Sequence, residues 1–153
     1  DLGNLLNRTL GMLQRYRDGV VPPAHELEPI DVELRDAFTE LPARMSRLFD
    51  ELQFDRAVEA VMEAVRKANK YIADVRPWEL AKDESQSDRL DVVLYSLAEG
   101  SRVLALALHP YMPETSGRLL EYLREGNREL DSFGARGGGQ HIERGEPLFP
   151  KLG

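Results

Sequence analysis

The chain has 153 residues, 42% hydrophobic and 31% charged, with a formal net charge of −7 and no cysteine. That is one domain's worth of chain with enough apolar material for a core of its own, and it excludes disulfides, thiolate chemistry and cysteine-ligated zinc or iron–sulfur centres. The acidic total argues against sequence-independent wrapping of a nucleic acid. Neither a signal peptide nor an apolar run approaching the roughly 18 residues of a membrane span is visible, which fits a cytoplasmic location.

The charge is unevenly placed. Residues 24–61 carry ten acidic residues against four basic ones, and residues 83–153 are also acidic. Residues 1–23 carry three Arg against two Asp, and residues 62–82 carry five basic residues against three acidic. A small, specific nucleic-acid contact is compatible with these two blocks.

The elements read as helices from the start. Leu2, Leu6, Leu10 and Leu13 share one helical face, with Leu5 and Met12 at its edge, predicting a helix over about 1–17 that stops before Asp18-Gly19 and Pro22-Pro23. Residues 31–52 carry a second helical pattern (Val32, Leu34, Phe38, Leu41, Met45, Leu48, Phe49), bent at Pro42. Phe54, Ala57, Val58, Val61, Met62, Val65, Ala68, Asn69 and Ile72 predict a third helix ending before Pro77. Residues 86–109 are apolar nearly all round, as in a central helix. Pro110 and Pro113 break the chain, and Pro113 can open a fifth helix with Leu119, Leu120, Tyr122 and Leu123 on its buried side. The expected fold is all-α: an antiparallel bundle of about five helices over residues 1–125. Residues 126–153 read as a Gly-rich loop (GARGGGQ) and an extended apolar tail (Leu148, Phe149, Leu152) that packs back on the bundle. The Gly-rich run lacks the strand before it and the Lys-Ser/Thr after it that a phosphate loop needs. Without an initiator Met and with a helix starting at once, the sequence reads as part of a longer polypeptide.

No catalytic constellation emerges. His25, His109 and His141 are far apart and none has a second metal ligand at helical spacing, so no metal site is expected. Glu99 lies on the most apolar helix and is expected to pair with an arginine or reach solvent. Two features do point to recognition. Asn4, Arg8, Gly11 and Arg15 line the first helix opposite its leucines, and Asn and Arg can each make paired hydrogen bonds to base edges. A solvated helix face accounts for the same stripe, except for Gly11, which costs helix stability. The single tryptophan, Trp78, follows Pro77, with Lys70, Lys67, Arg66 and Arg76 upstream. Pro77 is expected to hold Arg76 extended and to start a new turn that presents the ring for stacking on an unpaired base. A buried ring at a helix end is the simpler alternative. Asn69 and Tyr71 can serve as polar contacts or as a hydrogen-bonded pair in the core, and Asn69, which falls on the apolar face, is expected in the core.

Three ordered blocks, DLGNLLNRTLGM (1–12), ANKYIADVRPWELAK (68–82) and HPYMPETSGRLLEYL (109–123), together with the closing ERGEPLFPKL, resemble the anticodon-binding domain of bacterial methionyl-tRNA synthetase, a class I aminoacyl-tRNA synthetase. The Pro-Trp block is the most specific, and the resemblance spans the chain. It implies that Trp78, presented by Pro77, stacks on an anticodon base, and that Asn4 and Arg8 read or position the bases, with Arg15 extending their stripe. It also implies that Trp78 lies at the surface beside the first helix. The implied partners are the anticodon loop of methionine tRNA and the enzyme's own catalytic domain; no DNA or membrane partner is expected. The nucleotide-binding motifs of that catalytic domain, of His-Ile-Gly-His and Lys-Met-Ser-Lys-Ser type, are absent here. The chain alone is therefore expected to be non-catalytic and without cofactor, with ATP, methionine and any zinc held elsewhere in the enzyme. A helical protein-interaction module, or the anticodon-binding domain of another class I synthetase, fits the residues as an alternative.

Overall fold

The computed structural model describes residues 2–23, 25–114 and 116–117. Expectations for residues 118–153, including the buried side of the fifth predicted helix, the Gly-rich loop and the closing strip, lie outside the described residues.

The leucine face closes the first helix, α1 (Leu2–Arg17), onto the core: Leu5, Leu6, Leu10 and Leu13 are buried and Leu2 is half-buried. The helix ends where expected. Asp18 and Gly19 both take left-handed backbone, and the Gly19 N–H donates to the Leu13 carbonyl at 3.1 Å.

The pattern over 31–52 is two helices, α2 (Pro29–Thr39) and α3 (Leu41–Asp50), rather than one bent helix. Pro42 has no N–H for the Phe38 carbonyl, and its ring would clash with that carbonyl. The chain therefore stops at Thr39, and Pro42 sits in the first turn of a new helix. Pro29 starts α2 in the same way, two residues ahead of the predicted boundary.

α4 (Phe54–Val75) buries a stripe built largely from alanines: Ala57, Ala60, Ala64 and Ala68, with Val61, Val65, Tyr71 and Ile72. Small side chains let neighbouring backbones approach closely. Two residues placed on this face by periodicity are on the surface instead: Phe54 is 51% and Val58 63% exposed. Ala57 of the same turn is buried and the Phe54 ring lies 5.4 Å from that of Phe49 on α3, so Phe54 and Val58 flank the buried stripe, and helical spacing alone does not secure burial.

After α4 come a one-turn helix, α5 (Pro77–Leu80), a short 3-10 turn (Glu84–Gln86) and α6 (Ser87–Leu108). From Val92 to Leu108 every residue of α6 is buried, as its near-uniform apolarity predicted. Glu99 and Arg102 are the ionic exception, both buried and bonded to each other at 2.9 Å, which agrees with the expected arginine-paired glutamate. Gly100 permits close approach here: a Cβ would stand 3.3 Å from the Phe38 ring.

Leu5, Ala68, Leu97 and Gly100 meet at one level of the core, while Arg17 reaches Ser87 and Asp91 at the start of α6. Tyr71 and Arg89 likewise meet on Asp31. Thus α1 and α4 run parallel, and both are antiparallel to α6. The bundle has two poles. One gathers the ends of α1 and α4, α5 and the start of α6. The other holds the α3–α4 turn and Tyr111, whose ring stacks on Phe49 at 3.8 Å. Among the described residues there is no strand element, and no helix is long and apolar enough to cross a membrane. Residues 113, 114, 116 and 117 are helical, consistent with Pro113 opening a further helix.

Candidate nucleic-acid interface

The Trp78 turn is fixed by backbone chemistry. The Arg76 N–H donates to the Ile72 carbonyl at 2.9 Å and closes α4, and the Arg76 carbonyl accepts from the Glu79 N–H at 2.9 Å and opens α5. Both bonds require Arg76 to turn sharply, and it takes φ 51°, ψ 68°. The extended conformation expected before Pro77 is therefore not adopted. Proline disfavours the right-handed helical region for its predecessor, but the left-handed region remains open and is the one that folds α5 back on the bundle. Pro77 is buried at the first helical position, where its missing N–H costs nothing. Leu80 packs half-buried against the core. Between these anchors Trp78 is 37% exposed, a large ring partly open to solvent.

On α1, Asn4 and Gly11 are half-buried, while Arg8 and Arg15 are exposed. The Arg8 Nη1 donates to Asn69 Oδ1 at 3.3 Å, and the Arg15 guanidinium lies 5.7 Å from the Tyr16 ring centroid. Asn69 is thus half-buried and bonded across the α1–α4 seam, not in the core. Nor does it pair with Tyr71: one residue's step turns its side chain about 100° from the Ala68 stripe, toward α1. The structure therefore joins Arg8 to α4 two helical turns before Trp78. Because α1 and α4 run parallel, Arg15 lies about 10 Å further toward the Trp78 pole than Arg8, and Asn4 lies one turn on the other side. By helical rise Arg15 is the member of the stripe closest in height to the end of α4, while α5 itself packs on α6.

The basic residues upstream of Trp78 are mostly engaged. Arg66 pairs with Glu59, Lys67 with Glu63 at 3.5 Å and Lys70 with Asp74 at 2.7 Å. Arg44 and Lys67 hold the Glu63 carboxyl below its ordinary range, and Asp74 holds the Lys70 ammonium above its own. Lys67 and Lys70 line a groove of about 430 Å³ between α2 and α4 with Glu33, Asp36, Glu40 and Asp74, a setting hostile to phosphate. Arg76 and Lys82, two residues before and four after Trp78, share the one carboxylate of Glu79, each at 3.6 Å.

Behind this pole is a brace that periodicity did not single out. Asp31 is fully buried; it accepts from the Tyr71 hydroxyl, from Arg89 Nη1 at 2.6 Å and Nη2 at 3.1 Å, and from the Glu28 N–H at 2.8 Å. Burial and the Asp31 charge push the Tyr71 hydroxyl well above the usual tyrosine range. One carboxylate so ties α2, α4 and α6 together. The fold also assembles a cluster that spacing could not reveal: His25 Nε2 lies 3.1 Å from Asp91 and 3.9 Å from Asp88. Arg17 Nε already holds the other Asp91 oxygen at 2.7 Å, so the cluster reads as an ion-pair latch between the α1–α2 connection and α6.

Residues 31–136 match the model of the anticodon-binding domain of tRNA ligase, and the chain belongs to that family of helical domains. Its relatives are methionine–tRNA ligases. It is 42% identical over 156 residues to that of Caldanaerobacter subterraneus subsp. tengcongensis, matching 99% of this chain and 24% of the relative. It is 43% identical over 154 residues to that of Deinococcus radiodurans, matching 99% of this chain and 23% of the relative. Free Mycobacterium tuberculosis methionyl-tRNA synthetase superposes with a TM-score of 0.89 at 32% identity, over 99% of this chain and 32% of that one. The chain therefore spans about a quarter of the length of the curated relatives it matches.

Proposed function

We propose that this chain is the anticodon-reading part of a methionine–tRNA ligase, which attaches methionine to its tRNA with ATP for protein synthesis in the cytoplasm. The observation that carries this is Trp78, set between buried Pro77 and half-buried Leu80 and itself 37% exposed, in a chain of the anticodon-binding family. Trp78 stacks on an anticodon base. Arg8 and Asn4 contact base edges along the seam, Arg15 supports the strand near the ring, and Pro77 presents the ring. Stacking suits an acidic protein, because it captures one unpaired loop and requires no polyanion-binding face. ATP, methionine and any zinc belong to the rest of the enzyme, and this chain contributes tRNA selection.

Trp78 is the only tryptophan, so its fluorescence reports the contact directly. An anticodon stem-loop of methionine tRNA quenches it, and one with an altered anticodon does so weakly or not at all. Equal quenching by both would remove the anticodon reading, and no quenching would remove the stacking role.

A further inference from the structure

We propose that Arg76 is a phosphate-binding residue that holds the backbone of the RNA strand whose base stacks on Trp78; this rests on the anticodon-reading role above. Three non-glycine residues among those described have positive φ: Asp18, Leu52 and Arg76. Left-handed backbone is costly for a residue with a Cβ and nearly free for glycine. The turn itself needs nothing from the Arg76 side chain, since both bonds that define it are made by the Arg76 N–H and carbonyl. Glycine would form it at less cost, yet the position carries a long cation, 60% exposed along its side chain, two residues from the ring.

The local charge leaves that cation available. Its guanidinium is 3.6 Å from Glu79, and Glu79 is also 3.6 Å from Lys82. One exposed carboxylate is thus shared by two cations at distances longer than a hydrogen bond, which leaves the site net positive. Of the α4 cations upstream of the ring, Arg66 and Lys70 are each paired with a carboxylate, and Lys67 shares Glu63 with Arg44 in an acidic groove. A nucleotide stacked on Trp78 brings its own phosphates alongside the ring. A guanidinium presents a planar fork that matches two phosphate oxygens. The contact carries no base information, so it adds affinity equally to every loop sequence that reaches the ring.

The test uses the 153-residue chain, Trp78 fluorescence and the same anticodon stem-loop, titrated over a range of salt. Arg76→Gly suits the backbone, so the fold and the quenching at saturation persist. Binding is expected to weaken about tenfold at moderate salt, the worth of a charge-assisted hydrogen bond, and the slope of log K against log salt to fall by about 0.7, the value for one contact on an unpaired strand. Arg76→Lys keeps the slope but not the full affinity, and Glu79→Gln tightens binding. An unchanged salt slope in Arg76→Gly would overturn the phosphate contact while leaving the stacking role intact. A loss confined to the methionine anticodon would show a base contact instead. If Trp78 of the parent chain is silent to the stem-loop, it is the anticodon-reading role that fails.

Discussion

The two poles of the bundle both expose apolar side chains, but in different settings. At the far pole, Leu52 is 74%, Phe54 51% and Val58 63% exposed where α3 turns into α4. At the other, Trp78 is less exposed than any of them, yet it is held on both sides by buried or half-buried neighbours and sits beside Arg76 and Lys82. Exposure alone marks apolar surface. The proposed role of Trp78 rests on the second setting, an aromatic ring anchored through its chain neighbours and close in sequence to cations that suit a nucleic-acid partner.

That contrast can be broken by mutation. The largest expected effect is at the brace beneath the Trp78 pole: Asp31→Ala leaves Arg89 and the Tyr71 hydroxyl without their buried partner and should cost about 3–5 kcal/mol of folding stability, read by thermal or urea unfolding. A change below about 1 kcal/mol would mean that the pole does not depend on it. Next, Trp78→Ala should weaken stem-loop binding by about 1–3 kcal/mol, the worth of one stacked base, measured by competition or calorimetry because the fluorophore is lost. Its stability should fall by about 2–3 kcal/mol, since nearly two-thirds of this large residue is buried, so the binding comparison is made at a temperature where both chains are folded. Arg8→Ala should cost about 1–3 kcal/mol for the methionine anticodon and less for altered ones; a uniform loss would move Arg8 to the phosphates. The smallest effect is at the far pole. Val58→Ser should leave RNA binding unchanged and shift stability by no more than about 0.5 kcal/mol, and a loss of RNA affinity there would erase the distinction between the poles.

Much of the fold was legible in residue order. The leucines of α1, the proline breaks and the all-round apolarity of α6 each act through local chemistry: helical spacing, a missing N–H, or the absence of any polar face to turn outward. The departures also have local names. Pro42 divided a predicted helix instead of bending it, and Phe54 and Val58 obeyed the period but stayed at the surface, Phe54 with the tilted ring of Phe49 against it. In the candidate site, Trp78, Pro77, Arg8 and Arg15 stood out as residue types in unusual company. Asn69 did not, because its neighbour Ala68 is buried and one residue's rotation decides which side of α4 meets α1.

The sequence by itself determined the helices, their order and the presence of a proline-presented tryptophan in a locally basic stretch, because these depend on contacts within a few residues. Only the tertiary structure decided that α1 and α4 run side by side in the same direction, so that Arg8 bonds to Asn69. It also decided which cations are neutralised, that Asp31 joins three helices, and that Arg76 turns left-handed to fold α5 back. The ties between helices join groups 40 to 61 residues apart in sequence, as in Tyr71 with Asp31 and Arg8 with Asn69, and such pairings leave no periodic trace in the chain.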